Sequence, residues 1–283
     1  MQPDVRRPGA PTAHIPPAVA SARVALVASG KGGVGTSVVA SLLALGAAAA
    51  GARVLLIDGH EGSGVLHHLF GVRPNSSLDA LRNASVSLDE VLIPLGERFS
   101  VVASKPASDD QLALSPEARR APFERLLPLT SDYDCVVVDG GSRLESLLAV
   151  TSSGAGRAVV VTDADRISLA ANYALLKVLA QRAPSVRASV LVNRHDEAVA
   201  LRAGAQLADA CSRFIDCDVS LAGAVPDDAC LRAALGAGMP IGDAADGSPA
   251  AGAMQALALR VFPFLTGARA DARAAFPTLR RRS

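Results

Sequence analysis

Seven short apolar runs punctuate the chain, at residues 23–28, 53–57, 99–103, 135–138, 158–161, 188–192 and 221–225. None of them alternates between apolar and polar positions. A strand with one wet face alternates with period two, so runs like these predict strands buried on both sides. Longer stretches fall between most of them, at 38–50, 116–127, 168–182 and 198–214, with the apolar spacing of helices. A last helix is expected at 249–262, with Pro249 at its first turn and Pro263 ending it. Runs 23–28 and 53–57 flank a glycine-rich loop and an Ala/Leu helix, which is a βαβ unit. The whole predicts an α/β fold, a mostly parallel twisted sheet with helices on both faces. Residues 1–21 carry five prolines and few large apolar side chains, and are read as a flexible arm. The expected organisation is therefore this arm, a domain over 22–265, and a basic tail over 266–283.

Composition narrows the class. Half of the 283 residues are apolar, and 28 basic side chains nearly balance 27 acidic ones for a net charge of +1. Such a balance gives no hint of a DNA-binding surface. Aromatics at 3%, with no Trp, argue against a stacking platform for single-stranded nucleic acid. Cys135, Cys211, Cys217 and Cys230 have no metal-ligand spacing and are read as buried, inert thiols of a reducing cytosol. The first residues lack a secretory pattern, and no apolar run approaches the roughly 18–20 residues that span a bilayer. The expected location is cytoplasmic.

The candidate chemistry begins at Ser29-Gly-Lys-Gly-Gly-Val-Gly-Thr-Ser37, between a strand and a helix. Glycines let backbone N–H groups turn inward around phosphate oxygens, and the helix start adds a favourable dipole. Ser37 is placed to bind Mg²⁺ through its hydroxyl. Glycines in a strand-to-helix turn also serve shape alone, but the spacing and context here agree on phosphate. Two further runs end in aspartate, Leu55-Leu-Ile-Asp58 and Cys135-Val-Val-Val-Asp139.

The loop resembles the deviant Walker A motif of the MinD/ParA family, KGGxGK followed by Ser or Thr. The resemblance covers residues 23–265 and implies ATP or ADP bound with Mg²⁺. It makes Gly30, Lys31, Gly32, Gly33, Val34, Gly35, Thr36 and Ser37 the phosphate cradle. Lys31 matches the signature lysine that reaches a partner's phosphates in an ATP-dependent homodimer. Thr36 stands where the family has a second lysine, which removes a charge from the phosphates. Asp58 matches the first aspartate of the family's second-strand motif, a metal support. His60 replaces the second, which positions the attacking water; His60 either orients that water or is an exposed loop residue. Asp139 matches Walker B, so Ser37, Asp58 and Asp139 would surround Mg²⁺, with Lys31, Asp58 and His60 the catalytic set. Gly140-Gly141-Ser142-Arg143 departs from the family's γ-phosphate-sensing loop. Asn193, followed by Arg194, matches the strand end that reads the adenine edge, and Pro226 the turn packing under the base.

Within the family, residues 161–169, 172–179, 221–228, 231–235 and 248–251 are most similar to the flagellar-number regulators (FlhG/FleN). That branch implies control of the number or placement of flagella, membrane attachment, and partners such as the flagellar GTPase FlhF or a flagellar transcription activator. Residues 1–21 do not match the branch's GTPase-stimulating N-terminal helix. Thr36 is also similar to Tad-pilus localisation proteins (CpaE/TadZ) and the cellulose-synthesis protein BcsQ, so a pseudo-ATPase positioning scaffold is the alternative. In the tail, Arg269, Arg273, Arg280, Arg281 and Arg282 accompany Phe276 and Leu279, with Asp271 and a helix-interrupting Pro277. This tail is either a weak anchor on the inner membrane or a solvated end. Thr36 and His60 together point to slow turnover or binding alone. A metabolic enzyme is disfavoured because nothing supplies a separate substrate constellation.

Overall fold

A computed structural model describes residues 23–60, 64–105, 114–152 and 155–267. The arm and nearly all of the tail lie outside these residues. Every apolar run read above forms a strand: β1 Val24–Ala28, β2 Val54–Asp58, β4 Phe99–Val102, β5 Cys135–Gly141, β6 Arg157–Thr162, β7 Arg187–Asn193 and β8 Ser220–Val225. One strand was not foreseen. β3, Leu92–Pro94, pairs antiparallel with β4 at the sheet edge. Three residues ending in proline give no periodic signal, and proline is tolerated there because an edge strand needs no second ladder. The sheet order is β3-β4-β2-β5-β1-β6-β7-β8, and all pairs other than β3–β4 are parallel.

The main helices are α1 Thr36–Ala49, α2 Pro116–Leu126, α3 Leu144–Ser152, α4 Arg166–Arg182, α5 Glu197–Ile215, α6 Ala229–Gly236 and α7 Pro249–Val261. Helices α3 and α6 were not read from the sequence, being only 9 and 8 residues long. Alternate residues of each strand face opposite ways and fill two cores. On one face, Leu56, Val137, Val159 and Leu191 pack with Leu43 and Ala47 of α1 and with Met254 and Ala258 of α7. On the other, Leu26, Val138, Val160 and Val190 meet Phe123 of α2, Leu147 of α3, Leu176 of α4 and Leu207 of α5. Both faces are thus dry, as the unalternating runs require.

The cysteines only partly follow expectation. Cys135 and Cys211 are buried, and burial raises their thiols to about 12 and about 11. Cys217 is half-buried, whereas Cys230 is exposed, because it falls on the outer side of the first turn of α6. No helix among the described residues is long and apolar enough to cross a membrane.

Helices α1 and α7 approach each other closely at Gly46, and glycine permits it. A Cβ at Gly46 would lie 2.9 Å from the Gln255 Cα and 3.1 Å from the Met254 carbonyl oxygen. Both are backbone atoms of a buried helix and cannot swing aside. Gly46→Val is therefore expected to destabilise the fold by about 1–3 kcal/mol, read as a lowered urea midpoint at unchanged m-value. An unchanged midpoint would show that the two helices separate freely.

Candidate functional site

The glycine loop leaves the C-terminal end of β1 and enters α1, with Val34 buried beneath it as an apolar peg. Gly33 and Gly35 have φ of 80° and 90°, the left-handed region that other residues avoid. Gly30 is glycine for a different reason. Its Cβ would lie 2.2 Å from the carbonyl oxygen of Ala171 on α4, so the loop and that helix touch backbone to backbone. Helix α1 begins with no side-chain cap and no acidic residue in its first turn. Its leading N–H groups are thus left for an anion. Thr36, the first residue of α1, is buried at 8% exposure.

Asp58, at the end of β2, and Asp139, two residues before the end of β5, are register partners, and both are fully buried. Burial and the neighbouring Asp139 charge push Asp58 up to about 7, against N–H donors from Leu66 at 3.1 Å and His60 at 3.3 Å. Burial likewise raises Asp139, opposed by the Ser37 hydroxyl, the Gly141 N–H and the nearby His60. Gly141 N donates to Asp139 Oδ1 at 3.2 Å, while Asp139 Oδ2 is buried with no hydrogen-bond partner among the described residues. Two buried carboxylates, one with an orphaned oxygen, and the Ser37 hydroxyl form a hard-oxygen donor set that fits Mg²⁺.

His60 is half-buried, not an exposed loop side chain. Gly141, at φ 59°, lies flat beneath the imidazole, and a Cβ there would fall 2.5 Å from His60 Cδ2. The strand-end pairing of Asp58 with Asp139 carries the residue two positions on into the cleft.

Lys31 turns toward α4. Its Nζ pairs with Asp165 Oδ2 at 3.0 Å and donates to Ser168 Oγ at 3.1 Å. Asp165 also caps α4 by accepting from the Ile167 and Ser168 N–H groups. One turn on, Asn172 is fully buried and fully bonded. Its Oδ1 accepts the Gly30 N–H at 2.7 Å, and its Nδ2 serves the Val161 and Ser168 carbonyls. Sequence reasoning named none of Asp165, Ser168 or Asn172 as site residues. The available signal was a helix cap, Asp165 with Ser168 three positions later, set after a strand end.

Asn193, at the end of β7, donates from Nδ2 to the Val34 carbonyl at 2.8 Å and roofs Gly35. Arg194, at φ 65°, reaches the Gly33 carbonyl at 3.3 Å and Asp163 at 3.2 Å, while His195 meets Asp163 at 2.7 Å. Pro226, half-buried, follows Val225, the register partner of Asn193. Gly30 to Ser37, Asp58, His60, Asp139, Asn193 and Arg194 are thus gathered along one edge of the sheet, the C-terminal edge where open α/β sheets bind ligands.

Residues 25–241 match the model of the CobQ/CobB/MinD/ParA nucleotide binding domain. The chain is 28% identical over 242 residues to the antiactivator FleN of Pseudomonas aeruginosa, covering 84% of this chain and 86% of that protein. Among solved structures it resembles septum site-determining protein MinD of Pyrococcus horikoshii complexed with Mg-ADP, with a TM-score of 0.70, 21% identity, and 88% and 99% of the two chains covered. Cell division ATPase MinD of Pyrococcus furiosus gives a TM-score of 0.68 at 21% identity, covering 86% and 99%.

Hydrogen bonds from Ser168 and the charge of Lys31 hold the Asp165 carboxyl well below the usual carboxylate range. A depressed folded-state value stabilises the fold above the unfolded value, about pH 4 for Asp. That contribution disappears as pH falls through the folded value. The stability difference between wild type and Asp165→Asn is therefore expected to be largest near neutrality and to close below pH 4. Thermal melts across pH 2–7 check it, and a difference independent of pH would contradict the assignment.

Proposed function

This chain belongs to the CobQ/CobB/MinD/ParA nucleotide-binding family, and we propose that it is a MinD-like regulator that binds ATP or ADP with Mg²⁺, hydrolyses it weakly or not at all, and sets the number or placement of flagella. The observation carrying the nucleotide half is the buried Asp58–Asp139 pair beside Ser37 and an uncapped helix start. Two raised carboxylates in a dry site suit a divalent cation held against phosphates, not a structural role. Bound Mg²⁺ would neutralise charge on the phosphates. Backbone N–H groups of Gly30, Gly32, Gly33, Val34, Gly35 and Thr36 would cradle them, with Ser37, Asp58 and Asp139 oriented toward the ion. Asn193, Arg194 and Pro226 would border the base. Lys31 would leave Asp165 for phosphate, in the family manner that of a second copy in a homodimer.

Weak turnover is argued from two side chains. Thr36 supplies no positive charge to a developing phosphate charge. His60 is in the cleft but lacks the carboxylate of the family's water-positioning residue, and an imidazole held against Gly141 can still orient a water. The flagellar half is supported by the likeness to an antiactivator, FleN. A flagellar transcription activator, or the GTPase FlhF, is the corresponding partner. The protein is placed in the cytoplasm, with residues 266–283 as a weak contact to the inner membrane. Thr36 favours the second reading, a scaffold positioning a Tad pilus (CpaE/TadZ-like) or cellulose synthesis (BcsQ-like).

Calorimetric titration with ATP and with ADP, each with Mg²⁺, tests the nucleotide half. Binding that Lys31→Ala abolishes is expected, and Thr36→Lys should tighten it roughly tenfold to a hundredfold, the worth of one charge-assisted bond of about 1.5–3 kcal/mol. Silence toward both nucleotides in folded protein would leave only the scaffold. For the cellular role, deletion of the chromosomal copy is expected to change the number of flagella per cell in electron micrographs. Normal flagellation with lost pili or cellulose would transfer the assignment to the second reading.

A further inference from the structure

At the end of the sheet opposite the glycine loop, β6 and β7 both begin with arginine. Their register places Arg157 beside Arg187. Adjacent strands run about 4.8 Å apart, and like charges set directly opposite one another destabilise a sheet. Arg157 and Val159 on β6, Arg187 and Ser189 on β7, and Ser220 and Ala222 on β8 line one cavity of 220 Å³ beneath the last turn of α7. That turn adds a third guanidinium, Arg260, one nitrogen of which donates to the Ala222 carbonyl at 3.2 Å. Buried Leu257 and Val261 form the apolar wall.

The charge in this cavity is of one sign. Among the described residues, no acidic side chain lines it. Among the described residues, none of the three arginines has a carboxylate within ion-pair distance. A larger cleft of 780 Å³ shares Arg187 on its rim and holds Asp209, Asp216 and Asp218, but Asp209 pairs with Arg213 and neither of the others reaches Arg187. Moreover, Arg157 Nε is buried with no hydrogen-bond partner among the described residues. A buried donor without an acceptor is costly, as is a repulsive pair in register, and one anion relieves both.

We propose that this arginine cleft binds a phosphoryl group at a site separate from the glycine loop. Guanidinium forks match the oxygens of phosphate in pairs. Three cations with the Ser220 hydroxyl offer more donors than one carboxylate accepts, the Ser189 hydroxyl being given to the Ala158 carbonyl at 3.4 Å. The group enters from solvent, since Arg187, Arg260 and Ser220 are exposed while Arg157 forms the inner end. It belongs either to a lipid headgroup or to a free phosphate compound.

The test compares thermal melting of the full chain in inorganic phosphate with melting in chloride at the same ionic strength. Wild type is expected to melt several degrees higher in phosphate. Arg157→Gln and Arg187→Gln should melt no lower than wild type in chloride, because each removes a repulsion, and should lose at least half of the phosphate-specific rise. Phosphate can also reach the glycine loop, so Lys31→Ala is measured in parallel. Losses in Lys31→Ala and Arg187→Gln that add in the double variant identify two sites. Sedimentation with phosphatidylglycerol or phosphatidylcholine vesicles then separates the sources. Pelleting with the anionic vesicles that Arg187→Gln weakens assigns a lipid headgroup, and pelleting unaffected by that change assigns a free phosphate compound. A phosphate rise of equal size in wild type and both glutamine variants, or no rise in wild type, overturns the proposal.

Discussion

A parallel sheet covered on both faces has no room for charge along its strands, and the chemistry of this chain follows from that constraint. Strands β1, β2 and β5 are buried through their whole length, so ionisable groups on them can stand only where the ladder ends. Asp58 ends β2, and Asp139 stands two residues before the end of its neighbour β5, both toward the C-terminal side of the sheet. Arg157 and Arg187 mark the N-terminal ends of two others. Each pair is of like charge and in register. The same sheet thus holds an unbalanced negative pair at one edge and an unbalanced positive pair at the other, and each calls for a counter-ion of opposite sign.

Between those ends, the site's shape is set by backbone approaching backbone or a planar side chain. Gly30 lies against Ala171, Gly35 beneath Asn193, and Gly141 beneath His60. Asn172 then ties the loop to β6 and α4 with three hydrogen bonds from one buried amide. Thr36 and His60 leave these approaches in place.

Much of this was legible in the sequence, for identifiable reasons. Unalternating runs such as Val54–Asp58 announce burial on both faces directly, and the order strand, glycines, helix places the loop without any knowledge of packing. Asp58 and Asp139 were found because each follows such a run and matches a motif of the family the loop resembles. β3 was invisible because three residues carry no period, and α3 and α6 because eight or nine residues barely exceed two turns. The roles of Asp165 and Asn172 were hidden for a different reason. They act across 134 and 142 residues of chain, on Lys31 and Gly30, and only the fold shows which turn of α4 meets the loop. The two readings of His60 stayed open on similar grounds, since nothing local reveals that Gly141 will lie under its ring.

The pairing of Lys31 with Asp165 has a kinetic meaning. The two side chains are 37% and 42% exposed, so water and dissolved ions reach both. With a Debye length of about 8 Å at physiological ionic strength, such a pair is softened by the surrounding electrolyte far more than the buried carboxylates are. The lysine is parked, not locked. Its occupancy of Asp165 is an equilibrium that dissolved ions shift, so ionic strength helps decide how often the cation stands free.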